Sequence, residues 1–308
     1  MITINILKIR YFSYFVSILM ISAFIFGLIY KKYYTVQKSP FMYSVEFAGG
    51  YQVSCEINTK DNVDITAEGL KHSLEVRHYK GVSIRSFGAN RFLLRFPASQ
   101  ELMHDGINFF TNYLKSVFLE LFPEATCVIE DCVYIGSGVG EGLWQKGLVA
   151  VLVALAMMFL YMWIRFPSWY FSFANLISLL HDVLGVLLFL MWGDIEISLD
   201  VLIAILFIIG YSINDTIVIF SMIRKQIELH KKNNFVYDVI INKSISLTLR
   251  RTLLTSFFTS LVVVPLWLFG GYALQALAVP ILLGIVFGTY SSIAIASTVL
   301  HDMFVICK

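Results

Sequence analysis

One long apolar run with a carboxylate near its centre constrains this chain more than any other feature. The run covers about residues 198–222, and Asp215 lies well inside it. At a rise of about 1.5 Å per residue, twenty or more apolar residues cross a hydrocarbon core about 30 Å thick. We therefore predict a transmembrane helix that holds Asp215 at membrane depth and away from either helix end.

A carboxylate at that depth costs about 2.5–3.5 kcal/mol on insertion scales, so it should face other helices or water. Steps of three and four residues put Tyr211, Ser212 and Asp215 on one face, with Asn214 on the adjacent row. Asp215 could titrate and respond to an approaching Arg or Lys, as a proton switch does. It could equally be a polar contact that joins two helices, and both interpretations stay open.

The composition agrees with a membrane protein that crosses the bilayer several times. Of the 308 residues, 58% are hydrophobic and only 14% are charged, too few charges for a soluble protein of this length. The net charge of +2 indicates no nucleic-acid partner. We predict six spans, at about residues 11–30, 143–164, 170–192, 198–222, 252–269 and 277–300.

The distribution of basic residues predicts the orientation. Cytoplasmic loops of membrane proteins carry an excess of Lys and Arg, and the short link after the third span instead carries Asp194 and Glu196. Both termini are therefore expected in the cytoplasm, with the first span as an uncleaved anchor. The cytoplasmic set comprises Lys8, Arg10, Arg165, Arg224, Lys225, Lys231, Lys232, Lys243, Arg250 and Arg251.

The region 31–142, between the first two spans, is polar and long enough to fold as a domain on the outer side of the membrane. Its hydrophobic periodicity alternates between strand and helix, which predicts an α+β ferredoxin-like domain of order βαββαβ. The chain thus divides into an anchor (1–30), this exported domain with a hinge (31–142) and a five-helix membrane domain (143–308). The predicted strands and helices cover residues 51–57, 65–78, 81–87, 91–96, 101–122 and 126–133.

The four cysteines, Cys55, Cys127, Cys132 and Cys307, lack the spacing of a metal site, and we predict neither a metal nor a cofactor. Cys127 and Cys132 are five residues apart, which predicts opposite faces of one strand and no bond between them. Cys55 could lie near either, as a free thiol or in a disulfide, and buried free thiols are favoured. The glycine-rich segment 136–142 is expected to be a hinge, since no phosphate-loop lysine follows it.

The third span contains a second ionisable group, Asp182, on one face with Asn175 and Ser178. Intramembrane acids line proton paths in pumps, but Asp182 could also be a hydrogen-bonded contact between helices. Both roles stay open. His181 falls on a different face and is expected to pack rather than titrate.

The last two spans carry patterns that suit contact with neighbouring helices. Around the fifth span, hydroxyl side chains form a stripe beside Arg251, and Arg250 is its basic neighbour, which could also be simple flanking charge. The sixth span repeats a small residue every four positions, which lets helix backbones approach closely. The hydroxyl stripe is Thr248, Thr252, Thr255 and Thr259, and the small residues are Gly284, Gly288, Ser292 and Ala296.

Several of these segments, taken in order, resemble the SecF family of the resistance-nodulation-division superfamily. The stretch Glu46-Phe-Ala-Gly-Gly50 is also similar to that family's segment before the exported domain. The family's Asp-Arg after the fourth span is replaced by Ser221-Met222. The segments that carry the resemblance are Leu180-His-Asp-Val183, Gly210-Tyr-Ser-Ile-Asn-Asp-Thr-Ile-Val-Ile-Phe220, Thr248-Leu-Arg-Arg-Thr-Leu-Leu-Thr-Ser256, Phe269-Gly-Gly271 and Gly288-Thr-Tyr-Ser-Ser292.

The resemblance implies an inner-membrane subunit that binds SecD and uses the proton motive force to help draw unfolded preproteins out of the SecYEG channel, without an ATPase of its own. By position, Asp215 matches the family's acid in the fourth span and Arg251 its arginine in the fifth. We predict Asp182 as a third member of the proton relay, supported by polar side chains of neighbouring helices. The supporting set is Asn214, Tyr211, Ser212, Thr252 and Thr255.

Two other functions remain as alternatives. A scaffold subunit would use Asp215 and Asp182 only as polar contacts, worth about 1 kcal/mol each. A half-size exporter of small hydrophobic solutes, from the same superfamily, would need a second subunit to complete its substrate path. The polar region offers no nucleotide loop and no Ser/His/Asp order, which argues against a hydrolase or a dehydrogenase.

Overall fold

The computed structural model describes residues 6–34, 39–59, 69–70, 73–74, 82–86, 90–97, 106–121, 125–230 and 236–306. Its contacts divide the chain into two compact units. The membrane unit comprises Met1–Met42 and Leu148–Lys308, and the polar unit comprises Tyr43–Gly147.

The described elements include two irregular helical segments. A 3₁₀ turn (Ile6–Ile9) leads into α1, and a π-helical segment (Ser291–Ala296) continues α8 into α9. The bounds are α1 Arg10–Tyr34, α2 Val45–Ala48, β1 Gly50–Thr59, β2 Ser83–Ser86, β3 Arg91–Pro97, α3 Gly106–Leu121, β4 Ala125–Ile135, α4 Ser137–Arg165, α5 Trp169–Trp192, α6 Leu199–His230, α7 Tyr237–Phe269, α8 Gly271–Tyr290 and α9 Ser297–Ile306.

Six helical stretches of the described residues are long and apolar enough to cross a membrane, in agreement with the all-α bundle of six helices that the six predicted spans imply. Several extend beyond the apolar windows read from the sequence. Helix α6 continues to His230 and α7 already begins at Tyr237. The reason is that hydropathy detects only the apolar part of a helix, which lies in the hydrocarbon core, whereas backbone hydrogen bonds continue the helix into its polar flank.

The helices differ in how deeply they are packed within the membrane unit. Half of the most apolar window is buried in α5, in α6 and in the last span, against 17% in α1, α4 and α7. Aromatic rings of neighbouring helices meet in this core, where Phe171 and Phe220 lie at 5.3 Å between centroids. Helices α5, α6 and the last span therefore form the centre of the unit, and both intramembrane acids, Asp182 and Asp215, are buried there.

Two glycines of α8 lie against α6. A Cβ atom built on Gly284 would come within 2.2 Å of the Ile208 side chain, and one on Gly288 would lie 3.2 Å from Ser212 Cβ. Gly185 of α5 meets the ring of Phe287 in the same way, at 2.9 Å. Small residues thus let the central helices approach, as in other membrane helix pairs.

The polar unit contains a four-stranded antiparallel sheet in the order β2-β3-β1-β4. Apolar side chains of the strands and of α3 form one core, in which Val53, Leu94 and Leu114 are fully buried. This agrees with the predicted α+β class. The predicted helix 65–78 lies largely outside the described residues, so the ferredoxin-like arrangement stays a prediction.

A β-bulge in β4 corrects the prediction for Cys127 and Cys132. Ser54 pairs with Asp131 while Cys55 pairs with Ile129, so one residue of β4 is left over between them. An extra residue reverses the alternation of side chains beyond it. Cys127 and Cys132 therefore both pack against the core, and the prediction of opposite faces was wrong.

The described cysteines, Cys55, Cys127 and Cys132, are free thiols. Cys55 and Cys127 occupy diagonal positions on adjacent strands, because Cys55 pairs with Ile129 and Ile57 pairs with Cys127. Diagonal neighbours are farther apart than the Cβ separation that a disulfide requires, about 3.5–4.5 Å. The pair is therefore held by a hydrogen bond between the two sulfur atoms rather than by a covalent bond.

The glycine-rich segment 136–142, predicted as a hinge, is helical from Ser137 onward and forms the first turns of α4. A Cβ on Gly140 would lie 2.5 Å from the carbonyl oxygen of Phe47, so the helix packs closely on α2 there. Close packing explains this glycine without any requirement for flexibility. A hinge role for the segment stays a prediction.

Candidate functional site

Asp215 lies in the middle of α6, and only 3% of its surface is exposed. Thr255 of α7 is its polar neighbour, with 3.4 Å between Thr255 Oγ1 and Asp215 Oδ1. Among the residues that the structure describes, the second carboxylate oxygen has no hydrogen-bond partner. The acid is thus buried with only one long polar contact.

The contact with Thr255 is weak because its hydroxyl has better acceptors. The same oxygen lies 2.8 Å from the carbonyl oxygen of Thr252 and 3.1 Å from that of Arg251. A hydroxyl has one proton to donate, and the shorter distance to Thr252 favours the intrahelical bond. Asp215 is therefore free to gain a stronger partner if the helices move.

Arg251 of α7 is the basic residue whose charge acts on Asp215. Within the described part of the chain, no basic side chain lies within ion-pair distance of this carboxylate. Arg251 instead lines an open cavity of about 670 Å³ between α6 and α7. Its walls are formed by Tyr211, Asn214, Leu247, Arg250, Arg251, Leu254, Thr255, Phe258 and Thr259.

Asp182 of α5 is the centre of a second and more tightly bonded cluster, and it is 1% exposed. Ser212 Oγ donates a hydrogen bond to Asp182 Oδ2 at 2.6 Å. One turn earlier on α5, Ser178 Oγ donates to Ser291 Oγ at 2.9 Å. His181 Nδ1 lies 3.6 Å from the other carboxylate oxygen. These contacts join α5 to α6 and to the π-helical segment.

The side chains that the sequence grouped on one face of α6 have different neighbours in the structure. Ser212 turns to Asp182 on α5, whereas Asp215 turns to α7. Tyr211 also contacts α7, where its hydroxyl donates to Ser256 Oγ at 3.3 Å. A helix in the centre of a bundle is surrounded by partners, so residues within one wide face can contact separate helices. Ser212 and Asp215, three residues apart on α6, thus contact different neighbouring helices.

A chain of hydroxyl groups links three helices beside Asp215. It runs from Tyr211 through Ser256 to Thr289 of α8, with 2.6 Å between the Ser256 and Thr289 oxygens. Thr289 in turn donates to the carbonyl oxygen of Ile285 at 2.7 Å. We did not assign Ser256 or Thr289 from the sequence, although Ser256 follows Thr252 by one helical turn.

Other candidate residues are less directly engaged. Thr252 is fully buried, but its hydroxyl has no partner among the described residues. Asn214 lies on the exposed side of α6 and lines the cavity. Ser292 bonds back to its own helix, at 3.2 Å from the carbonyl oxygen of Thr289. In the parts of the chain that the structure describes, no His, Cys, Asp and Glu group is arranged to hold a metal ion.

Comparisons with known proteins agree on one family. Residues 117–305 match the family model described as protein export membrane protein SecD/SecF, C-terminal. The chain is 34% identical over 293 residues to the protein translocase subunit SecF of Rickettsia rickettsii, a match that covers 94% of this chain and 88% of the relative. The Helicobacter pylori subunit SecF is also 34% identical over 293 residues, with 94% and 84% covered.

Solved structures give the same result. The crystal structure of SecDF, a translocon-associated membrane protein from Thermus thermophilus, superposes with a TM-score of 0.78 at 29% identity. The match covers 95% of this chain and 38% of that longer one. SecDF in a super-membrane-facing form gives a TM-score of 0.64 at 28% identity, with 96% and 38% covered.

Proposed function

The chain belongs to the SecD/SecF family of protein export membrane proteins, and from this premise we propose that it is an accessory subunit of the Sec translocase. It assembles with a SecD partner in the bacterial inner membrane and promotes late steps of preprotein export through SecYEG. Its energy source is the proton motive force rather than ATP. The observation that carries the proposal is the buried carboxylate of Asp215, which forms no ion pair among the described residues and lies beside a cavity lined by Arg251.

Protonation of Asp215 changes the electrostatic attraction between α6 and α7. The anion attracts the Arg251 guanidinium across the cavity, and an anion without such a partner is costly at membrane depth. The neutral acid has no such attraction. Proton binding therefore selects between two packings of α6 and α7, one closed over the ion pair and one open.

Asp182 is the second acid of the proposed relay. Its bond from Ser212 lies on the α5 side of α6, while Asp215 faces α7. Ser212 and Asp215 are about one helical turn apart, so α6 carries a group that contacts each neighbouring helix. This arrangement supports stepwise proton movement across α6 rather than a single site.

Movement of the membrane helices can be transmitted to the polar unit through α4, which belongs to both units. Helix α4 begins at Ser137 within that unit and ends at Arg165 in the membrane unit. We propose that the polar unit lies on the outer face of the membrane, with both termini in the cytoplasm, as the distribution of basic residues predicts. A change in α4 then acts on the domain that meets the emerging preprotein.

The test is export in cells whose only copy carries Asp215→Asn, which keeps the shape of the side chain and removes its titration. Unprocessed secretory precursors should accumulate at least about tenfold, since a step that depends on proton transfer is lost. Asp215→Glu should restore part of the export. Glu228→Gln makes the same chemical change on an exposed acid of α6 and should leave export normal.

Assembly with SecD, measured by co-purification, separates loss of function from loss of the complex. Precursor accumulation with an intact complex supports the proton site. Normal export in the Asp215→Asn cells would instead identify the chain as a non-titrating scaffold subunit.

A further inference from the structure

A cluster of charged side chains at one end of the membrane unit lies outside the proposed proton site. His301 of α9 is at its centre and is 2% exposed. His301 Nε2 lies 2.6 Å from Asp238 Oδ1 at the start of α7, and Nδ1 lies 2.8 Å from Asp302 Oδ1. The ring therefore stands between two carboxylates that belong to different helices.

Helix α1 completes this cluster. Tyr14 donates its hydroxyl proton to Asp302 Oδ2 at 2.7 Å, and Arg10 Nη1 lies 3.5 Å from Asp302 Oδ1. The groups that face His301 are therefore Asp238 from α7, Asp302 from its own helix, and Arg10 and Tyr14 from α1. Nearby, the backbone N–H of Leu7 donates to Asn242 of α7 at 3.2 Å.

Only the doubly protonated imidazolium can donate to both carboxylates at these distances. A neutral ring has one N–H, so one of its nitrogens would present a lone pair to a carboxylate oxygen. The imidazolium has two N–H groups and satisfies both short contacts. Arg10 also approaches Nδ1, but its 3.4 Å is longer than the 2.8 Å to Asp302, so the carboxylate is the partner of that nitrogen.

With His301 protonated, the cluster is balanced in charge. Arg10 and His301 supply two positive charges, and Asp238 and Asp302 supply two negative charges. Of these groups only His301 is buried, and the buried charge of its imidazolium is tolerated because it is paired and hydrogen-bonded. Loss of the His301 proton leaves one excess negative charge and one unfavourable contact.

We infer that His301 forms a pH-sensitive clasp that fastens the start of α7 to α1 and to the final helix. The clasp holds while the imidazolium is present and loosens as the pH at this end of the unit rises. Because Asp238 is 56% exposed, solvent can exchange protons with the cluster. The clasp does not depend on the proposed export function, although α7 also carries Arg251 and Thr255.

The test measures protonation and fastening in the purified full-length protein. Chemical shifts of ¹⁵N-labelled histidine rings report the state of each nitrogen, and His301→Gln identifies the His301 signals by their loss. Amide hydrogen exchange in the first turns of α7 reports fastening. Comparison of variant and parent at each pH removes the intrinsic pH dependence of exchange.

We expect two protonated ring nitrogens on His301 at about pH 6. In His301→Gln, exchange at the start of α7 should be about fivefold faster than in the parent at that pH, as one lost hydrogen bond implies. The difference should be smaller at about pH 9, where a neutral ring in the parent keeps only one of its two N–H donors. His230→Gln, at the end of α6 where the ring contacts the carbonyl oxygen of Gln226, should change nothing.

Asp238→Asn provides a second variant in case His301→Gln does not fold. It changes a largely exposed group and removes the negative charge of one of the two acceptors, so the charge-assisted bond is weakened and exchange should again increase at about pH 6, and less at about pH 9. A neutral His301 ring at about pH 6 would overturn the inference. So would equal exchange in the parent, His301→Gln and Asp238→Asn at that pH.

Discussion

At the scale of single residues, the two intramembrane acids are held in opposite ways. Asp182 accepts a short bond from Ser212, whereas Asp215 has only a 3.4 Å contact with a hydroxyl that prefers another acceptor. A strongly bonded group resists movement, and a weakly bonded one can exchange partners. This difference supports Asp215, rather than Asp182, as the point where helices change their contacts.

The thiols of the polar unit allow a residue-scale prediction. A hydrogen bond to Cys127, together with burial, raises the pKa of the Cys55 thiol, and the same bond lowers the pKa of Cys127. Burial raises the pKa of Cys132. Because the thiolate is the nucleophile, Cys127 should be alkylated first at about pH 7.5, as peptide mass mapping of a time course will reveal.

Exposure also differs among these cysteines, so Cys55→Ala is the informative control. Removal of the donor should slow the alkylation of Cys127 severalfold without any change in the accessibility of Cys127. An unchanged rate at Cys127 in that variant would contradict the role of the hydrogen bond.

At the scale of helices, the contact between α6 and α8 determines where Ser212 meets Asp182. Gly288 lies against both side chains, because a Cβ added to it would be 3.2 Å from Ser212 Cβ and 3.6 Å from Asp182 Oδ2. A larger residue there would separate the helices. The buried hydrogen bond between α5 and α6 therefore depends on a small residue that belongs to a third helix.

Gly284→Leu tests this packing away from the polar groups. Its side chain would enter the space that Ile208 occupies, and we expect a loss of about 1–3 kcal/mol in the free energy of unfolding. The thermal midpoint of the purified protein in detergent should fall accordingly. Gly210→Leu is the matched control, because a Cβ on Gly210 meets nothing within 4 Å.

Gly210→Leu should not lower stability, and the higher helix propensity of leucine should add up to about 1 kcal/mol. If the two variants lose the same stability, overpacking between α6 and α8 is not the cause. The comparison separates a helix contact from the general effect of replacing glycine with leucine in a helix.

At the scale of the whole molecule, the proposed orientation predicts which cysteines a membrane-impermeant thiol reagent can reach. In cells whose outer membrane is permeabilised while the inner membrane stays intact, Cys127 of the polar unit should be modified and Cys307 at the C-terminus should not. After disruption of the inner membrane, Cys307 should be modified as well. Modification of Cys307 alone in intact cells would reverse the orientation.

The sequence was informative wherever a pattern is local. Hydropathy identified six helices because each span must satisfy its own backbone hydrogen bonds in lipid. Alternating apolar residues identified the strands of the polar unit, but the bulge in β4 reversed the face of Cys132. A bulge depends on pairing with a partner strand, which leaves no signal within the strand itself.

By itself, the sequence determined that Asp215 lies in the middle of an apolar helix and that a small-residue stripe runs along the last span. Only the tertiary structure decided that Ser212 bonds to Asp182 while Asp215 faces α7, and that His301 joins Asp238 and Asp302. The physical reason is the distance along the chain over which the deciding interactions act. Helix formation and membrane insertion depend on neighbours within a few turns, whereas the partner of a buried polar group is chosen by packing between helices far apart in the chain.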